Sequence, residues 1–240
     1  MSNTEKSIEV CFTPKLFEYY RDPESVVVIV DILRATTAMC TAFEYGVKEI
    51  IPVATVEEAF EYKQKGFLVA GERDGVVLEF ADFGNSPFYF QTEKLKDQSL
   101  VMTTTNGTQA IEAAKDCAEV ALGSFLNFSA LCEWLISKNR KVVIFCSGWK
   151  NRFNLEDTVF AGAVVEHLIS KADYHTVCDS AMASQDLWNL SKENLMQYID
   201  KSSHRQRLRK MMLDDVIEYC LTMDINEVVP VLQENKLILS

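Results

Sequence analysis

Four stretches of the chain gather residue types that can hold or transfer an oxyanion. The first, Asp31-Ile32-Leu33-Arg34-Ala35-Thr36-Thr37, closes an apolar run with an acid, then supplies an arginine and two hydroxyls. An arginine fork grips an oxyanion through two parallel N–H bonds. The free N–H groups of a following helix add to that grip, and Asp31 is a hard oxygen ligand for a cation. The competing reading is structural, with Thr36 as a helix cap and Asp31 paired to Arg34. The second stretch is Thr103-Thr104-Thr105-Asn106-Gly107-Thr108. Its Asn-Gly step often marks a hairpin turn, but the run QAIEAAKDCA that follows is helical in pattern. Strand, glycine turn, hydroxyl and helix is the order that cradles a phosphate. No Gly-Lys-Ser/Thr follows, so it is not a Walker loop, and three consecutive threonines also suit a plain strand.

The third stretch runs from Cys146-Ser147-Gly148 to Asn154-Leu155-Glu156-Asp157. Adjacent carboxylates suit Mg²⁺, which takes oxygen ligands and keeps several waters. Acids in the first turn of a helix capped by Asn154 are also stabilised by the dipole alone. Cys146 to Arg152 overlaps this stretch with a C-x5-R spacing, the loop of cysteine-dependent phosphatases. The intervening Ser-Gly-Trp-Lys-Asn carries the bulky Trp149, a poor lining for a tight cradle, and no Ser or Thr follows Arg152. The fourth stretch, Glu79 to Pro87, is dense in turn formers and offers Asp82, Asn85 and Ser86 as polar contacts. Just upstream, Gly71-Glu72-Arg73 ends a short strand with another carboxylate. The three histidines say less. His204 lies in a basic patch, Lys201 to Lys210, which reads first as a solvated helix face, with an anion role as the alternative.

Strands and helices must alternate to present these stretches together, and the pattern does so. Strands are expected at Ile8–Phe12, Val26–Asp31, Val47–Val53, Phe67–Ala70, Leu100–Thr104, Ala118–Leu122 and Lys141–Cys146. Helices are expected at Thr36–Tyr45, Thr55–Lys65, Thr108–Asp116, Asn127–Ser137, Leu155–Ile169, Ala181–Ile199 and Arg205–Thr222. A closing hairpin is expected over Val228–Leu239, around Glu234-Asn235. The alternation argues a three-layer α/β/α fold with a mixed, mostly parallel sheet, in which ligands bind beyond the carboxyl ends of the strands. A slide of 71 positions lays 26–65 over 97–136, matching Val30 to Val101 and Thr37 to Thr108. Two similar half-domains or merely repeated βαβα grammar both account for it. We expect one compact unit over 1–240 with a helical C-terminal part, 171–240.

Composition narrows the partners. Lys+Arg number 24 against Asp+Glu 35, a net charge of −11, so a nucleic-acid partner is not expected, because phosphate contacts need clustered cations. Hydrophobic residues at 48% and charged residues at 25% are ordinary for a globular chain, which excludes disorder. No apolar run reaches the ~18 residues of a membrane span, and the first dozen residues carry no apolar signal core. Seven cysteines without a CxxC pair read as reduced thiols, hence an expected cytoplasmic location and no membrane partner.

Taken jointly, VVVIVDILRATT (26–37), GER (71–73), DFGNSP (82–87), TTNGTQA (104–110), CSG (146–148) and EDTVFAGA (156–163) resemble the 2-phosphosulfolactate phosphatase (ComB-like) family. Weaker matches, DSAMA (179–183), SSHRQRL (202–208), VIEYC (216–220) and VVPVL (228–232), carry the resemblance along nearly the whole chain. The resemblance implies an α/β/α fold and Mg²⁺-dependent hydrolysis of a phosphate monoester. The family substrate is 2-phospho-3-sulfolactate, an intermediate of coenzyme M biosynthesis. Two positions depart: 109 is Gln where a basic residue is expected, and Arg205 follows His204 where Gly is expected.

On this reading the catalytic residues are Asp31, Arg34 and Asn106. Arg34, Thr36, Thr37, Asn85, Ser86, Asn106, Gly107, Thr108, Ser147 and Gly148 contact substrate, and Asp31, Glu72, Glu156 and Asp157 hold Mg²⁺. The partner is a small phosphorylated, sulfonated acid, and a homodimer is compatible with all of this. Phosphoryl transfer needs mainly positioning and charge stabilisation. An aspartyl nucleophile is disfavoured, since 31–35 reads DILRA and not DxDx[TV]. Two alternatives stand beside the metal enzyme: a non-catalytic sensor of such a metabolite, and a phosphatase using Cys146. The clustered carboxylates favour an enzyme over a sensor, because a pure anion binder should avoid them.

Overall fold

The computed structural model describes residues 6–210 and 215–240. Its strands are β1 (Ile8–Cys11), β2 (Val26–Val30), β3 (Glu49–Pro52), β4 (Leu68–Arg73), β5 (Val76–Val77), β6 (Ser99–Thr103), β7 (Glu119–Gly123), β8 (Val142–Cys146), β9 (Pro230–Gln233) and β10 (Lys236–Leu239). Its helices are α1 (Ala35–Glu44), α2 (Val56–Gln64), α3 (Gly107–Ala114), α4 (Phe128–Lys138), α5 (Leu155–Ala172), α6 (Asp179–Ser191), α7 (Leu195–Ile199), α8 (Ser203–Lys210) and α9 (Asp215–Cys220).

The continuous Val26–Val30 run is explained by layering. Successive side chains of a strand point to opposite faces. Val26, Val28 and Val30 pack with residues of α4 and α5 such as Leu131, Phe160 and Val164. Val27 and Ile29 pack with Ala38, Met39 and Ile111 of α1 and α3. Both faces of β2 are therefore dry, and each such side chain contributes roughly 1.5–3 kcal/mol on burial.

All ten strands form one mixed sheet in the order β1-β8-β2-β7-β9-β10-β3-β6-β4-β5. β1, β8, β2 and β7 are mutually parallel, as are β3, β6 and β4. The closing hairpin joins the two sets. β9 runs antiparallel to β7 at Ala121–Val231, and β10 antiparallel to β3 at Leu237–Ile50. Three successive antiparallel steps make the two half-sheets run in opposite directions, which hydrophobic periodicity does not reveal.

Two expected helices differ. The one expected over Ala181–Ile199 breaks into α6 and α7, because the Asn194 side chain accepts the Gln197 N–H (3.1 Å) and starts a new helix. The one expected over Arg205–Thr222 is represented by α8 and α9, and its middle, 211–214, lies outside the described residues. Among the described residues no helix is long and apolar enough to cross a membrane.

Candidate active site

The Asp31 loop is held by its own hydroxyls. Thr36 Oγ1 accepts the Asp31 N–H at 3.0 Å, and Thr37 Oγ1 donates to the Ile32 carbonyl at 2.9 Å. Both threonines are fully buried and brace the turn from β2 into α1. Asp31 Oδ1 accepts the Ala35 N–H (3.3 Å), so the acid occupies the capping role expected of Thr36. Asp31 and Arg34 form no ion pair. Arg34, only 6% exposed, has neither an ion pair nor a side-chain hydrogen bond among the described residues.

The second loop repeats the device. Thr104 Oγ1 accepts the Thr108 N–H (3.1 Å), and Thr108 Oγ1 accepts the Thr104 N–H (3.0 Å). Gly107 has a steric duty. A Cβ there would lie 2.6 Å from the Ala35 Cβ and 3.1 Å from Asp31 Oδ2, so the starts of α1 and α3 touch only because position 107 has no side chain. Glu72 ties this loop to the β4–β5 turn. Its carboxylate accepts the Thr105 N–H (2.7 Å), the Thr105 hydroxyl (3.1 Å) and the Gly75 N–H (2.6 Å). Asn106 Oδ1 accepts the Lys150 N–H (3.1 Å), and Lys150 Nζ pairs with Asp74 at 2.6 Å. The two half-sheets thus meet at their carboxyl ends.

The adjacent acids at the start of α5 have different surroundings. Asp157 Oδ1 accepts the Ile32 N–H (2.9 Å). Its Oδ2 accepts the Gly148 N–H (3.2 Å) and Asn154 Nδ2 (2.8 Å). Asp157 therefore stitches the Asp31 loop to the β8 loop. Glu156 Oε1 meets His204 Nδ1 at 2.6 Å, while its Oε2 is buried without a partner. The His204 ring lies 5.5 Å from that of Trp149, and the Arg207 guanidinium sits 4.2 Å over the same indole.

These loops enclose a pocket. Of the expected site residues, Asp31, Arg34, Glu72, Asn85 and Asn106 line it. Thr36, Thr37, Ser86, Gly107, Thr108, Ser147, Gly148, Glu156 and Asp157 lie outside the lining, and most of them hold the lining loops in place. Trp149, His204 and Arg207 line the pocket too and were not among the expected site residues. The available signal was the i, i+3 spacing of His204 and Arg207, which puts both on one helix face. Among the described residues, the buried polar atoms without partners include Asn85 Oδ1 and Arg207 Nε and Nη2 in the lining, and Ser147 Oγ, Asn154 Oδ1 and Glu156 Oε2 in the β8–α5 segment behind it, with Asn226 the exception. Native interiors seldom leave such atoms unmet, so the cluster marks a place for a ligand.

The position of Cys146 speaks against a cysteine-dependent phosphatase, since it does not line the pocket. Its thiol is fully buried, and burial together with Asp157 pushes it well above its ordinary value, so it is no thiolate nucleophile. Arg152 is exposed and does not line the pocket. The two departures also fall outside the lining. Gln109 is exposed and donates to the Ala54 carbonyl, and Arg205 is engaged with Asp200 at 3.4 Å.

The profile of the family described as 2-phosphosulpholactate phosphatase matches residues 11–235. The chain belongs to the 2-phosphosulfolactate phosphatase family. It is 40% identical over 213 residues to a Thermotoga maritima protein named "Probable 2-phosphosulfolactate phosphatase", covering 88% of this chain and 91% of that one. A protein of the same name from Caldanaerobacter subterraneus subsp. tengcongensis is 38% identical over 214 residues, covering 88% of each. One from Clostridium tetani is 34% identical, covering 85% of this chain and 88% of its own.

In this member of the 2-phosphosulfolactate phosphatase family the pocket's electrostatics are dominated by desolvation. Burial pushes Asp31 up to about 6, with His204 and the Ala35 N–H pulling it back and Glu72 and Glu156 adding to the rise. Burial and the neighbours Asp31 and Glu156 push Asp157 well up against its N–H donors. Burial lowers the Arg34 guanidinium. Among the described residues no three His, Cys, Asp or Glu side chains form a ready-made metal cage. The donors are nonetheless hard oxygens with a surplus of buried negative charge. One or two carboxylates plus waters are what Mg²⁺ takes.

The Glu156–Asp157 pair yields a test. As first-turn acids both should gain equally from the helix dipole. Glu156→Gln can place its NH2 at the unpartnered Oε2 position and keep its contacts. Both substitutions relieve a fully buried charge, but Asp157→Asn must also turn an NH2 toward N–H donors, at a cost of about 1–3 kcal/mol. Thermal melts should put Asp157→Asn several degrees below Glu156→Gln, and equal melts would reduce both acids to dipole effects.

Proposed function

We propose that this chain is a phosphoric monoester hydrolase that converts 2-phosphosulfolactate and water to 3-sulfolactate and phosphate, with Mg²⁺ as its cofactor. The observation that carries the reading is Arg34: a buried guanidinium facing the pocket beside Asp31, with no ion pair or side-chain hydrogen bond among the described residues. A buried charge without a partner is costly, and a phosphoryl group supplies the missing oxygens. Family membership supports the same substrate.

In this mechanism Arg34 grips two non-bridging oxygens of the phosphoryl group. The starts of α1 and α3, brought together by Gly107, add N–H dipoles of the same sign. The Asn106 amide, fixed by the Lys150 N–H, orients the group from the opposite half-sheet. Asp31 and Glu72, two of the three carboxylates that line the pocket, would hold Mg²⁺; the third, Asp74, is paired with Lys150. Mg²⁺, when bound, neutralises charge on the transferring group and polarises water. His204 has Nδ1 committed to Glu156, so Nε2 is the nitrogen left to serve the leaving oxygen. The seven free cysteines, five of them buried, suit a reducing cytoplasm.

The test is phosphate release from 2-phosphosulfolactate. Release should require Mg²⁺, stop in EDTA, return with added Mg²⁺ and survive thiol alkylation. Full activity in EDTA overturns the metal assignment. No release from this or any phosphorylated hydroxy acid overturns the function.

A further inference from the structure

Arg207 reaches the pocket from α8, whereas Arg34 comes from the β2–α1 loop. Its guanidinium carbon sits over Trp149, 4.2 Å from the ring centroid. Nη1 lies 3.4 Å from Ser203 Oγ. Nε and Nη2 are buried and have no hydrogen-bond partner among the described residues. These two atoms form one edge of the guanidinium, the edge whose parallel N–H bonds take two oxygens of one acid group side by side. The cation–π contact with the indole holds the guanidinium in place and leaves Nε and Nη2 without partners among the described residues. Glu156 does not satisfy it, since its Oε1 is committed to His204 and its Oε2 has no partner. Buried donors without acceptors cost free energy, so this corner of the pocket is complete only with an anion in it.

We propose that Arg207 reads the substrate's second anionic group, the carboxylate or sulfonate that is not transferred, while Arg34 takes the phosphoryl group. The assignment rests on the phosphatase reading above. It makes this enzyme selective for phosphate monoesters that carry another oxyanion close to the ester carbon. Trp149 is a positioning residue that acts through Arg207. Esters with a neutral tail leave the Arg207 edge unmet and are poor substrates for that reason.

The experiment compares kcat/KM for 2-phosphosulfolactate and for glycerol 2-phosphate, whose tail is neutral, in the wild type, Arg207→Gln and Arg207→Lys. Calorimetric binding of 3-sulfolactate runs alongside. Losing hydrogen bonds to a charged group should cut the preference for the anionic tail by about 10- to 100-fold in Arg207→Gln. Arg207→Lys, which keeps the charge and loses the fork, should fall between. 3-Sulfolactate should bind more weakly by a similar factor. A third ester, 2-phospholactate, sorts the source: a loss shared with it assigns the fork to the carboxylate, and a loss confined to 2-phosphosulfolactate assigns it to the sulfonate. Equal losses on the charged and neutral tails, or an unchanged preference, overturn the proposal. If the wild type hydrolyses no ester yet binds 3-sulfolactate through Arg207, the phosphatase reading fails and the anion site stands. If it neither hydrolyses nor binds, both fail. Should Arg207→Gln not fold, Arg207→Lys carries the comparison.

Discussion

Asp31→Asn should lose about 10²–10³-fold of its turnover and yet melt at a higher temperature than the wild type at pH 7.5. The loss follows from its position, since Asp31 lines the pocket beside Arg34 and, in the proposed Mg²⁺ enzyme, would supply the charge a hard cation requires. The gain follows from burial. The folded-state pKa of Asp31, about 6, lies above its ordinary 3.8, so folding favours the protonated acid. Its contribution to stability is complete below about pH 4 and is lost as pH rises through 6. At pH 7.5 the carboxylate is ionised in a dry setting. The amide carries no charge and escapes that burden, which amounts to roughly 1–3 kcal/mol, or about 2–4 °C for each kcal/mol. Melts in EDTA from pH 4 to 8 should show the two proteins converging at the acid end, parting between about pH 4 and 6 and keeping a constant gap above that. A fully active Asp31→Asn protein removes the residue from the chemistry. Parallel melting curves across the range remove it as the burdened acid.

Arg34→Lys should cost about 100-fold in kcat/KM although the charge is kept. Arginine presents a planar fork matched to two oxygens, whereas lysine is a point charge on a flexible stem. Each hydrogen bond to a charged group is worth about 1.5–3 kcal/mol, and the substitution loses at least one. Arg34 also has no structural partner to lose among the described residues. The fold should therefore tolerate the change, and the melting temperature should move little. Steady-state kinetics with a melt of the same preparation separate the cases. Unchanged kinetics place the phosphoryl clamp elsewhere, and a collapse in melting temperature makes Arg34 a packing residue.

The part of the candidate pocket built on strand ends was legible in the sequence. Asp31, Arg34, Glu72 and Asn106 stand where apolar runs stop, and in an α/β sheet that is where ligands bind. What composition and spacing could not convey is which polar residues turn inward. Thr36, Thr37 and Thr108 are the same kinds of residue as a phosphate cradle uses, yet their hydroxyls close local turns. Glu156 and Asp157 look equivalent as adjacent acids in a first helical turn. They differ because the Ile32 and Gly148 N–H groups, distant in sequence from each other, both converge on Asp157. His204 and Arg207 were hidden by their neighbourhood. A run of exposed cations reads as a solvated face, and only tertiary packing shows that this face of α8 covers the pocket. Trp149 looked too bulky for a cradle, and it serves instead as the surface on which Arg207 lies.

The hairpin of β9 and β10 follows every other strand in the chain and yet lies in the interior of the sheet order. During synthesis β1, β2, β7 and β8 can pair with one another, and β3, β4 and β6 can do likewise, before Pro230 has been added. The two rafts cannot become one sheet until the hairpin has left the ribosome. Asp31 stands on one raft, Glu72 and Asn106 on the other. A nascent chain can therefore hold the two sides of the candidate pocket before it holds a sheet that joins them.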